Sequence, residues 1–126
     1  YGDEIGLAGA GDPDNRRMMT FDNWTPEQDS TFAHLAELGQ LRKDLPALRR
    51  GTVQVVWSDA DVLVIQRQYE GETVYVGLNR SQDTRDIIVA SDSSEEPTVL
   101  YGAGSATPTE GGHSISLSPR ASLFWK

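Results

Sequence analysis

Two different periods organise the apolar positions of this chain. From residue 51 onward they alternate or cluster in short runs. Val74, Val76 and Leu78 share one face of an extended segment, with Thr73, Tyr75 and Gly77 opposite; Ile115 and Leu117 share a face, with Ser114 and Ser116 opposite. Segments 53–58, 62–70, 73–79, 84–91, 98–101, 114–117 and 122–125 all read as short strands. Turn signals separate them: Ser58-Asp59-Ala60-Asp61, Glu70-Gly71-Glu72, Asn79-Arg80-Ser81-Gln82, Tyr101-Gly102-Ala103-Gly104 and Gly111-Gly112. Seven short strands with frequent turns predict an antiparallel β-sandwich over 51–126, with an exposed loop at 91–97. Upstream the period lengthens to that of a helix over 30–45. Phe32, Leu35, Leu38, Leu41 and Leu45 fall on one side, and Glu37, Gln40, Lys43 and Asp44 on the other. Asp29 or Ser30 is the expected N-cap, Pro46 ends the helix, and residues 46–50 form one more turn before Gly51. The apolar arc spans about half the helix circumference, which predicts burial against two bodies rather than one. Residues 1–29 show no period and are rich in Gly, Asp and Asn, the chemistry of a loop.

Charge narrows the range of partners. Eleven Lys and Arg against nineteen Asp and Glu leave a net charge of −8 on 126 residues, with a pI near 4.6. That balance speaks against a nucleic acid or an anionic membrane as partner, since both require clustered positive charge. It suits neutral partners such as sugars. With no cysteine, disulfide scaffolds, zinc fingers, thiol nucleophiles and iron–sulfur clusters are excluded. No apolar run is long enough to span a bilayer. The compartment is left open. The start at Tyr1-Gly2-Asp3-Glu4 carries neither Met nor leader, while Ser122-Leu123-Phe124-Trp125 closes like a last strand. The expectation is a chain cut at its beginning.

Candidate chemistry is sparse. Gly9-Ala10-Gly11-Asp12-Pro13-Asp14 lacks the third glycine and the Lys-Ser/Thr of a phosphate cradle. Asp12-x-Asp14-x-Arg16 opens like a calcium loop, but Arg16 takes a ligand position and no closing Glu follows. No metal and no cofactor is therefore expected. His34 is expected to be a partly buried helix residue, and His113, after Gly111-Gly112, to face solvent. Neither can be tied to a nucleophile by spacing. Trp24, Trp57, Tyr69, Tyr75, Tyr101, Phe124 and Trp125 could stack on sugar rings, though packing is the ordinary role of such residues.

Longer words in the sequence carry a resemblance. Tyr1-Gly2-Asp3-Glu4-Ile5-Gly6-Leu7 followed by Gly11-Asp12-Pro13-Asp14-Asn15-Arg16-Arg17-Met18-Met19 resembles the stretch after the eighth barrel strand of the α-amylase family, glycoside hydrolase family thirteen. Residues 38–51, ending Leu45-Pro46-Ala47-Leu48-Arg49-Arg50-Gly51, resemble that family's last barrel helix and its exit into the C-terminal domain. Asp61-Val62-Leu63-Val64-Ile65 and Val74-Tyr75-Val76-Gly77-Leu78-Asn79-Arg80-Ser81 resemble its first C-domain strands. The likeness runs through the whole chain in order and is strongest to the neopullulanase, cyclomaltodextrinase and maltogenic amylase type.

The resemblance implies a mainly β chain: a loop at 1–29 and a helix at 30–50 left over from a (β/α)8 barrel, then a C-terminal antiparallel sandwich at 51–126. It also implies a parent that cleaves α-glucans by the retaining mechanism, with an Asp nucleophile, a Glu acid/base and a second Asp. Those three belong to the fourth, fifth and seventh barrel strands and precede Tyr1, so no catalytic residue is expected here. Asp12 and Arg16 match the loop that borders the sugar subsites on the non-reducing side. A carboxylate and a guanidinium four residues apart can hold vicinal hydroxyls, or can simply brace the loop. Met18-Met19 departs from the family's Pro-containing version at this point. Two roles follow: a structural domain that caps the missing barrel, or a carbohydrate-binding module, which would need exposed coplanar rings. Without the barrel, the helix at 30–45 is expected to mediate self-association or to be covered by residues 1–29.

Overall fold

The computed structural model describes residues 1–92 and 95–126. Among them the chain divides into two compact units, Tyr1–Asp44 and Leu45–Lys126.

The first unit holds one helix, α1 (Pro26–Asp44), preceded by two single 3-10 turns at Asp3–Ile5 and Asp14–Arg16. The helix starts four residues earlier than its apolar period suggests. Thr25, not Asp29 or Ser30, caps it: the Gln28 N–H donates to Thr25 Oγ1 at 3.3 Å and the Thr25 N–H donates to Gln28 Oε1 at 3.0 Å. This is a reciprocal capping box, with Pro26 pre-set for the first helical position. Asp29 instead lies in the first turn, where a carboxylate offsets the helix dipole. The turn at Asp3–Ile5 lies against α1 with Ile5 buried, and the Trp24 and Phe32 rings meet at 5.0 Å. That cover is partial. A helix buried on two sides was the expectation, yet no residue of α1 is buried, and Phe32, Leu35 and His34 are exposed.

The second unit is an antiparallel sandwich. After the short helix α2 (Pro46–Arg50) come eight strands among the described residues: β1 (Thr52–Ser58), β2 (Val62–Tyr69), β3 (Glu72–Asn79), β4 (Arg85–Ala90), β5 (Val99–Gly102), β6 (Gly104–Thr109), β7 (Gly112–Leu117) and β8 (Ser122–Trp125). One sheet has the order β1-β2-β3-β8-β5 and the other β4-β7-β6. Seven strands match those read from the sequence; β6 is the addition, an edge strand of small polar residues and Pro108. Proline is tolerated at an edge, where one side of the ladder needs no donor. In the expected loop 91–97, Ser93 and Ser94 lie outside the described residues, and Pro97 is buried rather than exposed.

The core lies between the sheets. Val62, Val64, Tyr75, Leu123 and Trp125 from the larger sheet meet Ile87, Val89, Ile115 and Leu117 from the smaller. Ile115 and Leu117 thus turn inward, as their alternation indicates. On β3 the inward face is Tyr75 and Gly77, opposite the alternating Val74, Val76 and Leu78. Gly77 has no Cβ, and one placed there would sit 3.1 Å from Leu117 and 3.2 Å from Trp125, so the bare backbone makes room for both. Val74 points away from this core yet is fully buried. It lies on the same outer face as Arg67 and Glu72, the face on which α2 rests. Three hydrogen bonds hold that end: Ala47 N–H to Glu72 Oε2 at 2.8 Å, Arg67 Nη2 to the Gly51 carbonyl at 2.9 Å, and Arg67 Nε to the Thr52 carbonyl at 3.0 Å.

Two turns set the register. Tyr69 pairs with Glu72 across the two-residue loop Glu70-Gly71, and both loop residues have positive φ, 48° and 86°. That is the type I′ geometry matched to strand twist. Between β1 and β2, Asp59 Oδ1 accepts from the Asp61 and Val62 N–H groups, each at 2.8 Å. These donors, joined by Trp57 and Arg85, hold the Asp59 carboxyl below the usual carboxylate range.

Candidate functional site

Asp12 and Arg16 come together on the turn at Asp14–Arg16. Arg16 Nε lies 2.9 Å from Asp12 Oδ1, with the two side chains 79% and 66% exposed. Exposure at that level leaves the pair screened, so it contributes little stability. Both groups remain accessible to a ligand. The loop is braced instead by a pair the sequence did not single out. Arg17 grips Asp14 through Nε at 2.9 Å and Nη2 at 2.8 Å, and Asp14 also accepts the Ala10 N–H at 2.8 Å. The Arg17 and Ala10 bonds hold the Asp14 carboxyl below its ordinary range, and the Arg17 guanidinium is shifted upward in turn. The hydroxyl of Tyr1 donates to the Arg17 carbonyl. The signal available for this brace was the spacing of three between Asp14 and Arg17, which one helical turn brings face to face.

His113 is buried at the β7 end of the sandwich rather than solvent-facing. The Trp125 indole N–H, which can only donate, reaches His113 Nδ1 at 3.1 Å. Nδ1 is therefore the bare acceptor nitrogen, and the neutral ring carries its proton on Nε2, a buried atom with no protein partner. Burial pushes the His113 pKa down. Beside it opens a polar cleft of about 590 Å³ whose lining includes Gln66, Tyr75, Ser91 and Lys126. The Tyr75 hydroxyl accepts from Gln66 Nε2 at 3.0 Å and donates to Ser91 Oγ at 3.2 Å. Sequence reasoning missed this cluster because its members come from four separate strands and a loop.

The aromatic residues are used for packing. Tyr75 stacks on Trp125 inside the core, 5.3 Å apart with ring planes 10° off parallel. Tyr101 meets Phe124 edge-on at 5.9 Å, and the Trp57 Nε1–H points at Asp59 Oδ2 at 3.4 Å. Trp24, Trp57, Tyr69, Tyr101 and Phe124 are half-buried. Among the described residues no three His, Asp or Glu converge as metal ligands would.

A model of the α-amylase C-terminal domain matches residues 51–122. The chain belongs to that family. This α-amylase C-terminal domain is 38% identical over 97 residues to a cyclomaltodextrinase from Geobacillus thermopakistaniensis, covering 74% of this chain and 16% of that protein. It is 32% identical over 136 aligned positions to a cyclomaltodextrin glucanotransferase from Niallia circulans, covering all of this chain and 18% of that one. Among solved structures it resembles a debranching enzyme from Nostoc punctiforme, with a TM-score of 0.84 and 28% identity over 99% of this chain and 26% of the enzyme. An α-amylase from Geobacillus thermoleovorans superposes with a TM-score of 0.79 and 29% identity, over 99% of this chain and 28% of that one. The chain thus spans less than a fifth of the curated relatives named here.

Proposed function

We propose that this chain is the non-catalytic C-terminal accessory portion of a retaining α-glucan glycoside hydrolase, whose role is to complete and stabilise the catalytic barrel. One observation carries the reading. The likeness to a cyclomaltodextrinase and a cyclomaltodextrin glucanotransferase extends over 74% and all of this chain, yet covers only 16% and 18% of those proteins. Nothing in the described residues suggests a catalytic pair. Asp59, Asp61 and Asp14 are occupied by turn N–H groups and by Arg85, Arg80 and Arg17. Buried Tyr75 and Trp125 speak for structure over a sugar-binding platform.

In this reading Asp12 and Arg16 border the parent's sugar cleft and offer a carboxylate and a guanidinium to neighbouring hydroxyls. The test has two arms. The chain alone, assayed on starch, pullulan and cyclodextrin, is expected to release no reducing sugar above a matched blank; turnover refutes the reading. Grafted in place of the matching segment of the Geobacillus thermopakistaniensis cyclomaltodextrinase, it is expected to support cyclodextrin hydrolysis. In that graft Asp12→Ala with Arg16→Ala should raise KM with little change in kcat, since uniform binding is what such contacts supply. An unchanged KM would confine the pair to bracing its loop.

A further inference from the structure

The short turn that carries Arg16 is too small to hold its own shape. Asp14–Arg16 is a single 3-10 turn with no side-chain cap, and one such turn fixes several backbone angles for very few hydrogen bonds. Backbone bonds from the Asp14 N–H to the Gly11 carbonyl at 2.9 Å and from the Arg16 N–H to the Pro13 carbonyl at 3.0 Å support it. The Asp12–Arg16 pair does not set the shape either. Both of its side chains are open to water, and an ion pair so exposed contributes close to nothing. Another contact has to keep Asp12 and Arg16 in place.

Asp14 supplies that contact from within the turn. Its Oδ2 accepts the Ala10 N–H and Arg17 Nη2, each at 2.8 Å, and its Oδ1 accepts Arg17 Nε at 2.9 Å. One carboxylate thereby ties residue 10 to residue 17, and Asp12 and Arg16 lie on the stretch of chain between them. The grip of Arg17 is two-pronged, the form of guanidinium–carboxylate contact that fixes direction as well as distance. Two further contacts seat the ends. The Tyr1 hydroxyl donates to the Arg17 carbonyl. A Cβ on Gly9 would lie 3.0 Å from the Asn15 Cα, so the bare glycine lets the incoming chain rest against the turn. The Arg17 and Asp14 side chains are 53% and 39% exposed, so this clasp adds little to the stability of the whole chain. What it fixes is local.

We infer that Asp14 and Arg17 are positioning residues for Asp12 and Arg16, holding that carboxylate and guanidinium in a preformed arrangement that a bound sugar does not have to order; the inference rests on the reading above, in which Asp12 and Arg16 border the parent's cleft. Groups that become ordered only on binding cost affinity, and a preformed pair avoids that cost. Arg17 acts through the loop and not on the sugar, because its Nε and Nη2 are already committed to Asp14. Charge alone does not suffice at position 17. A lysine keeps the charge, but its ammonium is a point donor on a flexible stem and does not reproduce the planar fork that meets both oxygens of Asp14.

The test uses the cyclomaltodextrinase graft. Arg17→Met and Asp14→Ala are each expected to raise KM for cyclodextrin by about three- to tenfold, with kcat and the half-life of activity at elevated temperature unchanged. Arg17→Lys should behave like Arg17→Met. On top of Asp12→Ala with Arg16→Ala, Arg17→Met should add nothing to KM, since no pair is left to position. Hydrogen exchange over residues 9–17 of the graft gives a readout independent of activity. It should quicken in Arg17→Met and in Asp14→Ala, and should not in Asp12→Ala with Arg16→Ala. Rescue of KM by Arg17→Lys, or a full further rise of KM on top of Asp12→Ala with Arg16→Ala, overturns the inference and makes Arg17 a charge acting on the sugar directly. A shortened half-life with KM unchanged overturns it too, and leaves the clasp a purely structural role. Exchange that ignores Arg17 and Asp14 means that the clasp does not form in solution, and the inference falls while the placement of Asp12 and Arg16 stands. Exchange that responds as expected, with KM unmoved both by Arg17→Met and by Asp12→Ala with Arg16→Ala, makes the placement of Asp12 and Arg16 at the cleft the failing step, and the inference falls with it.

Discussion

Asn79 ties the two sheets together at one end of the sandwich. It is 3% exposed at the end of β3. Its amide nitrogen donates to the Asp83 carbonyl at 2.8 Å, the Ser118 carbonyl at 2.9 Å and the Leu117 carbonyl at 3.2 Å. Its Oδ1 accepts from the Ser81 N–H at 2.9 Å and the Ser81 hydroxyl at 2.8 Å. One side chain thus fixes the turn after β3 and the turn between β7 and β8. Asn79→Ala removes all of these bonds. Each is worth about 1 kcal/mol net, but the Asp83, Ser118 and Ser81 groups are near enough to the surface to find water. The Leu117 bond lies buried between the sheets, where water does not replace a lost donor, so its loss carries the full cost of about 1 kcal/mol or more. The expected loss is about 2–4 kcal/mol, a large part of the stability of a small domain. In urea, with a slope of about 1 kcal/mol/M, the midpoint falls by about 2–4 M. Trp57 and Trp125 report the transition by fluorescence, with far-ultraviolet circular dichroism as the second probe. Asn79→Asp separates the two halves of the network. It keeps both bonds from Ser81 but sets a carboxylate against three carbonyl oxygens, which raises the folded-state pKa of the new acid. An acid so raised destabilises the fold once pH exceeds its unfolded value of about 3.9. The Asp variant should therefore lie closer to the unsubstituted chain at pH 4 than at pH 7. A loss below about 1 kcal/mol for Asn79→Ala, or no pH dependence for Asn79→Asp, would refute the reasoning.

Two further outcomes follow from the same geometry. A Cβ on Gly112 would fall 2.1 Å from the Val89 carbonyl oxygen and 3.0 Å from the Ala90 Cα, both main chain of β4. Gly112→Ala should therefore separate β4 from β7 and unfold or aggregate the sandwich, while Gly11→Ala, with open space around it, should not change the urea midpoint. His113 is neutral and buried, with its pKa pushed below the ordinary 6.5. The unfolded chain then binds a proton that the folded one refuses, so stability is full above about pH 6.5 and falls as pH drops through the depressed folded value. A urea series from pH 8 to pH 5 checks this, with the slope expected to vanish in His113→Gln.

Local pattern carried most of the strand assignments and little of what decides which side of a strand is inside. On β3 the alternation of Val74, Val76 and Leu78 marks an apolar face, but the core claims Tyr75 and Gly77. That choice depends on Leu117 and Trp125, some forty to fifty residues away, and no window of sequence contains both. His113 shows the same limit. Its neighbours Gly111 and Gly112 suggest a solvated turn, while the partner that keeps it inside, the Trp125 indole, sits on another sheet. The start of α1 was a different kind of miss. Thr25-Pro26-Glu27-Gln28 spells the capping box outright, and only the choice of Asp29 or Ser30 as a cap nearer the apolar run obscured it. β6 offered no apolar alternation beyond Ala106, because an edge strand can be built of Ser, Thr and Pro.

The candidate site divides along the same line. Asp12 and Arg16 were named because the family resemblance points to their loop, and the structure holds them as a local pair, four residues apart on one turn. The apolar outer face was equally present in the sequence, as strands with apolar residues at odd and even positions alike, from Val62 to Ile65 and from Val74 to Leu78. Its meaning was not local. Both-sided apolarity is the pattern of a strand covered twice, and the fold shows that the small sheet supplies the inner cover while α2 lies over the Val74 end of the outer face. The β4 and β7 strands, apolar inside and polar or small outside except at Ile88, supply the comparison within the same molecule. Their outer faces carry Asp86, Ser114 and Ser116. The outer face of β1, β2 and β3 instead keeps Val53, Val55, Leu63 and Leu78 exposed, an apolar surface whose inner counterpart is the core itself.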